Sequence, residues 1–488
     1  MIALTAAEIA EITNGRLDAD PEITPLSVVT DSREATPGSL YVAKAGEHAD
    51  GHDFIAAAFG NGSTLALVER PVMGTAGVNY PAIVVADAVL AMGALAAEAV
   101  RRIRAARRAA GAQFTVVGIT GSAGKTTTKD LLAGVFAAQG NTVAPQGSYN
   151  GEVGVPLTVF SADSSTRYLV IEMGATGIGH IRYLADMVKP DIGVVLGVGT
   201  AHAGEFGGVE NIALAKGELL EGLSATGTAI INLDDDRVAA MRERTQAPVL
   251  GFSADGRPGA AVRAVNPDTN PEGNPEFDLV LPSGEPDLHV SSKLIGAHHL
   301  GNLLAAAAAA FAAGVPGPDI TASLSTQWAA SRWRMERTER ADGVTIINDA
   351  YNANPESMRA ALRTLADLGR GRRTWAVLGA MLELGAESIR EHTAVGTQVV
   401  RLNISRLVVV GREARALYVS AVQEGSWGDE CSFTETVDEA YELLEAELEP
   451  GDLVLFKSSN SVGLRHLGDR IALPPQAPVP ASEGSEQL

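Results

Sequence analysis

The spacing of apolar positions changes between residues 116 and 136. Val116, Val117 and Ile119 form a β-branched run of the kind a buried strand carries, whereas Leu131, Leu132, Val135 and Phe136 recur at helical spacing. Gly118, Gly121 and Gly124 break the run, and Lys125, Thr126, Thr127 and Thr128 follow. The pattern predicts strand, glycine loop and helix, with Gly140 as the helix C-cap. Further strands are predicted at 168–172, 192–198, 229–232 and 249–252, with helical patterns between them. Residues 266–286, rich in Pro, Asn and Gly, read mostly as loops and turns, and 300–313 as a buried helix closed by Gly314. A later set of strands is predicted at 345–348, 375–378, 407–410 and 453–456. Before the glycine loop, short strands are predicted at 27–30, 40–43, 65–68 and 82–85. A helix from 88 ends in Arg101, Arg102, Arg104, Arg107 and Arg108, a pattern that reads as a solvated helix end entering a linker.

Alternation of strands and helices predicts an α/β protein with mostly parallel sheets. The expected division is a small mixed domain over 1–111, a central domain over 112–330, a third α/β domain of Rossmann-like pattern over 331–474, and a disordered Pro, Ser and Glu tail over 475–488. A chain of 488 residues fits that number of domains, since about 150 residues per domain is usual.

Charge narrows the partners. Lys plus Arg is 38 and Asp plus Glu is 59, a net charge of −21. Such a field disfavours nucleic acid and anionic membranes, and an anionic substrate needs local cations. The 303–313 apolar run is too short to span a bilayer. The one cysteine, Cys431, excludes a disulfide within the chain, and the amino-terminal stretch lacks a basic region, so a cytoplasmic location is expected.

The glycine loop carries the clearest chemistry. Small residues let backbone N–H groups wrap a polyphosphate at the positive end of a helix. The expected cradle is Gly121, Ser122, Ala123, Gly124, Lys125, Thr126 and Thr127, with Lys125 reaching the outer phosphates and the Thr126 hydroxyl able to hold Mg²⁺. Ile119 stands where the strict phosphate-loop pattern has its first glycine, so the loop is a variant. Glu172 closes a predicted strand, where a carboxylate meets a cation or caps the next helix. His202 follows another strand end. Lys216 lies on a predicted helix and by spacing alone reads as a surface lysine.

In this order the glycine loop, Glu172-Met-Gly-Ala, His202 and Ala-Lys216-Gly-Glu resemble the Mur ligase family, ATP-dependent ligases of peptidoglycan precursor synthesis. The resemblance extends over about 1–470. It includes Thr30-Asp31-Ser32-Arg33 and Asp50-Gly51-His52-Asp53-Phe54 in the first domain, Tyr149-Asn150-Gly151-Glu152, and Arg334 with Asp349-Ala-Tyr351-Asn352-Ala-Asn354-Pro355 in the third. Departures are Gly151 where members often carry Asn, His298-His299 for His-Asn with Asn302 retained, and Lys457-Ser458-Ser459-Asn460 for Lys-Gly-Ser-Arg.

The resemblance implies specific roles. The first domain would bind the UDP sugar, with Ser32 and Arg33 on the substrate. Asn150, Tyr351, Asn352 and Asn354 would face substrate as well. ATP would lie on the loop with Asn302, Arg334 and Asp349. Thr126 and Glu172 would hold one Mg²⁺, and His202 with Lys216 a second, Lys216 as its carbamate. Lys125, Glu172, His202, Lys216 and Arg334 would act in catalysis. The implied reaction joins D-alanyl-D-alanine to UDP-N-acetylmuramoyl-tripeptide through an acyl phosphate, in a monomer. The Tyr351-to-Pro355 run and the lack of an Asp-x-Pro-Arg motif weigh against the sister ligase that adds the third amino acid. The first domain weighs against a folylpolyglutamate synthetase and against a phosphate-loop switch or transport ATPase.

Overall fold

The computed structural model describes residues 1–46, 49–74, 77–199, 206–286, 288–425 and 430–473. Among these residues the chain forms three sheets in succession. The first runs, from one edge, Arg16–Asp18, Ala82–Val84, Leu65–Val68, Ser39–Val42 and Ser27–Val29, parallel except at Arg16–Asp18. The third runs Glu336–Glu339, Thr345–Asn348, Leu453–Lys457, Thr374–Leu378, Arg406–Val410 and Cys431–Thr434, with its first pair antiparallel and the rest parallel.

The central sheet positions the site. Its order is His289–Ser291, Pro275–Val280, Val262–Thr269, Val249–Ser253, Thr228–Asn232, Ile192–Val195, Thr115–Thr120, Tyr168–Glu172 and Thr142–Val143. After Thr115–Thr120 the chain first builds the Tyr168–Glu172 side, then crosses to Ile192–Val195 on the other side. That reversal opens a crevice beyond the carboxyl end of Thr115–Thr120, where open α/β sheets bind ligands.

Packing explains why the strands are nearly uninterrupted apolar runs. One face of the central sheet carries Val117, Ile119 and Val170 against Leu131, Phe136 and Leu303 of covering helices. The helix His299–Ala312 keeps residues 303–310 wholly buried, and its small alanines let it approach the sheet closely. On the opposite face, Val116, Leu169 and Ile171 join a core that continues through Met92, Leu95 and Ile103 to Leu40 and Leu65 of the first sheet.

That shared core changes the reading of the helix Ala88–Ala109. Its arginine-rich end is largely solvated, as expected, but Arg104 and Arg107 pin it to the central sheet and the segment before it. Arg104 pairs with Asp191 at 2.8 Å, Asp191 also accepts from the Val116 N–H at 2.8 Å, and Arg107 donates to the Gln113 carbonyl at 2.8 Å. Residues 266–286 are not loop and turn alone, since 266–269 and 275–280 are strand. Val262–Thr269 and Pro275–Val280 pair as an antiparallel hairpin, with Phe277 and Leu279 buried on alternate positions. The turn residues Asn270 to Asn274 obscured the alternation beside them. The helix after the glycine loop ends at Ala137 with a right-handed Ala138 cap, so Gly140 is not its C-cap. The strand expected at 192–198 stops at Val195 because residues 197 and 198 turn into the crevice. The tail expected at 475–488 lies outside the described residues. No helix among the described residues is long and apolar enough to cross a membrane.

Candidate active site

The crevice is a cavity of about 1030 Å³ with walls from the central and third sheets. Its floor is the glycine loop. Gly124 adopts φ +81°, and a Cβ there would overlap the Asn302 amide oxygen, so the left-handed turn and the close approach both require glycine. The helix Lys125–Ala137 starts directly from Gly124 with no side chain capping it. Its first-turn N–H groups are left to an anion in the cavity. The loop is braced from two sides. The Ser122 N–H donates to the Gly197 carbonyl at 3.0 Å, and the Asn354 amide donates to the Ser122 carbonyl at 3.3 Å.

Lys125 donates to the Gly121 carbonyl at 2.8 Å. Burial pushes its amine below the ordinary lysine range, and Arg334 adds to this while Glu172 opposes it. Beside it, the Thr126 hydroxyl donates to Glu172 Oε2 at 3.0 Å and lies 2.8 Å from Ser148 Oγ. Asn150 donates to Glu172 Oε1 at 2.8 Å, so both oxygens of this buried carboxylate are held in place. Strand geometry sets the carboxylate there: Tyr168–Glu172 is buried throughout, and the Thr120 hydroxyl fixes the Met173 carbonyl at 2.9 Å just beyond.

The third sheet supplies the opposite wall. The Arg334 guanidinium lies 4.6 Å over the Tyr351 ring and donates to Ser148 Oγ at 3.2 Å and Thr126 Oγ1 at 3.4 Å. Asp349 accepts from the buried Lys457 ammonium at 2.5 Å and from the Met335 N–H at 3.1 Å. Lys457 also donates to the Asn352 carbonyl at 3.1 Å. Asn354 caps the helix Pro355–Leu368 in a reciprocal arrangement with Ser357.

Lys216 lines the same cavity and is buried. Burial first, then repulsion from Lys125, pulls its amine down to about 7. Two histidines complete this side. His299 is buried, which takes it well below its usual value and leaves it neutral near pH 7, whereas His298 lines the cavity with its side chain exposed. The Asn302 amide donates to His299 Nδ1 at 3.1 Å, which leaves the ring proton on Nε2.

The structure therefore brings the residues of the loop, Asn150, Glu172, Lys216, Asn302, Arg334, Asp349, Tyr351, Asn352 and Asn354 to one cavity. His202 lies outside the described residues. Ser32 and Arg33 do not reach this cavity: the Ser32 carbonyl accepts from Asn61 at 2.9 Å, and the exposed Arg33 pairs with Asp31, whose carboxyl it holds down to about 2. Ser148 joins the site without any sequence signal, as a lone serine in a loop. Lys457 was visible only as the retained lysine of an altered motif, and its pairing to Asp349 spans 108 positions.

Family models match three successive stretches: Mur ligase family, catalytic domain, over 27–112; Mur ligase middle domain over 119–310; and Mur ligase, glutamate ligase domain, over 333–460. The chain is 42% identical to UDP-N-acetylmuramoyl-tripeptide--D-alanyl-D-alanine ligase of Mycobacterium tuberculosis, over 96% of this chain and 98% of that protein. The chain belongs to the Mur ligase family.

Solved structures agree with this membership. The crystal structure of MurF from Acinetobacter baumannii superposes with a TM-score of 0.83 at 31% identity, covering 96% of this chain and 99% of that one. MurF ligase from Thermotoga maritima in complex with ADP gives 0.75 at 26% identity, covering 91% and 97%. In this Mur ligase no group of three or more His, Cys, Asp or Glu gathers among the described residues to hold an ion alone. One fixed carboxylate and the hydroxyls of Thr126 and Ser148 instead suit Mg²⁺ that takes its remaining oxygens from a nucleotide and water. The uncapped helix start and the half-buried Lys125 suit the nucleotide's phosphates.

Proposed function

We propose that this Mur ligase joins D-alanyl-D-alanine to the free carboxyl end of UDP-N-acetylmuramoyl-tripeptide, with ATP converted to ADP and phosphate. The observation that carries the reading is the 42% identity, over nearly the full length of both chains, to ligases named for those substrates. In this reading residues 1–111 take the UDP sugar, with Ser32 and Arg33 on it, 112–330 take ATP, and 331–474 close the site. In this reading the enzyme acts as a monomer. A location where ATP and the nucleotide sugar meet, the cytoplasm, follows.

A carboxylate is a poor acylating agent. Transfer of the γ-phosphoryl group to it makes an acyl phosphate, which the dipeptide amine attacks with loss of phosphate. The task of the residues is positioning and neutralisation of crowded negative charge. Lys125 and the first-turn N–H groups hold the outer phosphates, and Arg334 meets the transferring group from the third domain. Thr126 and Glu172 would hold Mg²⁺, which when bound would supply charge neutralisation at the phosphates. Asn302 and His299 flank the nucleotide side, and Asp349 faces the ribose. Asn150, Tyr351, Asn352 and Asn354 orient the substrates.

Lys216 carries a finer part of the reading. Its neutral amine attacks CO₂ and releases a proton, giving an anionic carbamate that would hold, with His202, a second Mg²⁺. An unmodified ammonium would repel that ion. Lys216 lines the cavity, which leaves room for the added group.

Phosphate release tests the ligase reading. It is expected only when ATP, UDP-N-acetylmuramoyl-tripeptide and D-alanyl-D-alanine are all present. Steady release without the amine would mark an ATPase instead.

A further inference from the structure

Arg334 reaches the cavity from an unusual backbone. The residues on either side of it, Trp333 and Met335, adopt φ +58° and +53°. Left-handed conformations are costly for bulky side chains and persist only where neighbours over-determine them. Met335 is held by the bond of its N–H to Asp349. Trp333 is held by its N–H on Glu336 at 2.9 Å and by its indole N–H on Asp469, 3.0 Å from Oδ2 and 3.1 Å from Oδ1. Guanidiniums of Arg332 and Arg465 lie over the same indole at 5.0 and 4.9 Å.

Asp469 sits on the helix Leu464–Ala472, outside the cavity lining. Its carboxylate gathers donors from separate parts of the third domain. Besides the Trp333 indole these are Arg332 Nη2 at 2.8 Å and Asn348 Nδ2 at 3.2 Å. Trp333 immediately precedes Arg334, and Asn348 immediately precedes Asp349. One carboxylate therefore grips the residue before each of two cavity side chains.

We propose that Asp469 is a positioning residue for the ligation reaction, setting where Arg334 and Asp349 point without touching substrate. The proposal rests on the ligation reading above, in which Arg334 meets the transferring phosphoryl group. A carboxylate that only stabilised the last helix would affect folding and leave turnover of the folded enzyme alone.

A double-variant cycle on the full chain separates these possibilities. Asp469→Ala is expected to lower kcat at least tenfold, with a smaller change in the KM for ATP. In an Arg334→Ala background the same change is expected to lower kcat by clearly less than it does alone, because no guanidinium is left to aim and only the effect through Asn348 and Asp349 remains. Asp469→Asn, which keeps an acceptor for the indole N–H, is expected to restore most of the loss. Trp333→Phe keeps the ring, loses the donor and serves if Asp469→Ala does not fold; it is expected to lower kcat at least threefold, again with little effect beside Arg334→Ala. Losses that multiply in the double variants, or wild-type kcat in both Asp469→Ala and Trp333→Phe, would overturn the proposal. Full turnover of Arg334→Ala alone would remove Arg334 from the reaction, and the positioning role with it, while phosphate release dependent on the amine would still stand.

Discussion

The Thr126 hydroxyl, on the first turn of the helix after the glycine loop, donates to the Glu172 carboxylate at the end of the neighbouring strand, 3.0 Å away. Under the proposed function, a hydroxyl and a carboxylate so placed would hold Mg²⁺ together with the nucleotide. Glu172→Gln keeps the shape and removes the charge. It is expected to lower turnover about a hundredfold, the scale of losing one preorganised charge, and to raise the Mg²⁺ concentration needed for half-maximal rate. Titrating Mg²⁺ at saturating ATP measures both. An unchanged Mg²⁺ dependence would remove Glu172 from the site.

Lys125→Ala is expected to cost about 3–4 kcal/mol of transition-state stabilisation, a hundredfold or more in rate, with the fold intact. The residue is half-buried against the loop, where its ammonium donates to the Gly121 carbonyl and carries none of the core packing. Initial rates together with thermal unfolding check this. Near-normal turnover would contradict the phosphate-binding role.

The loop and Glu172 were legible because their chemistry is local: glycines, a lysine and an apolar strand stand side by side in the chain. The third-domain wall was legible only through the resemblance, since nothing in the spacing of Arg334 or Asp349 points toward a loop more than 200 positions earlier. Ser148 gave no signal at all. The hairpin at 262–280 was hidden because Asn, Pro and Gly at its turn outweighed the alternation of Phe277 and Leu279. The pinning of the arginine-rich helix end gave no signal either, because Asp191, the partner of Arg104, lies 87 positions on.

Arg334→Ala and Asp349→Ala are each expected to reduce turnover by about tenfold or more, as truncation of charged groups aimed at a reacting centre does. Asp349→Ala also leaves the Lys457 ammonium buried without its carboxylate, so a drop in unfolding temperature is expected there and not in Arg334→Ala. Steady-state kinetics and calorimetry distinguish the two. Wild-type turnover and ATP affinity in both variants would show that the third domain does not complete the site.

Lys216 predicts a pH dependence with a definite sign. Its amine titrates at about 7, far below the ordinary lysine value, so it is neutral above that pH and protonated below it. Only the neutral form attacks CO₂. Reactivation of CO₂-depleted enzyme at fixed dissolved CO₂ is therefore expected to slow about tenfold per unit as pH falls below 7 and to level off above it. Bicarbonate should raise the activity of depleted enzyme at mildly acidic pH. Lys216→Arg stays charged and is expected to be inactive, and Lys216→Glu to recover a little activity. Full activity of Lys216→Arg would exclude the carbamate.

The most direct test of the central claim is the identity of the product. The enzyme is incubated with ATP, with UDP-N-acetylmuramoyl-tripeptide or UDP-N-acetylmuramoyl-dipeptide, and with a panel of amines, and the products are weighed by mass spectrometry. The account predicts one product, the tripeptide precursor extended by D-alanyl-D-alanine, formed together with ADP and phosphate. Extension of the dipeptide precursor by a single diamino acid, with no product from D-alanyl-D-alanine, would contradict it.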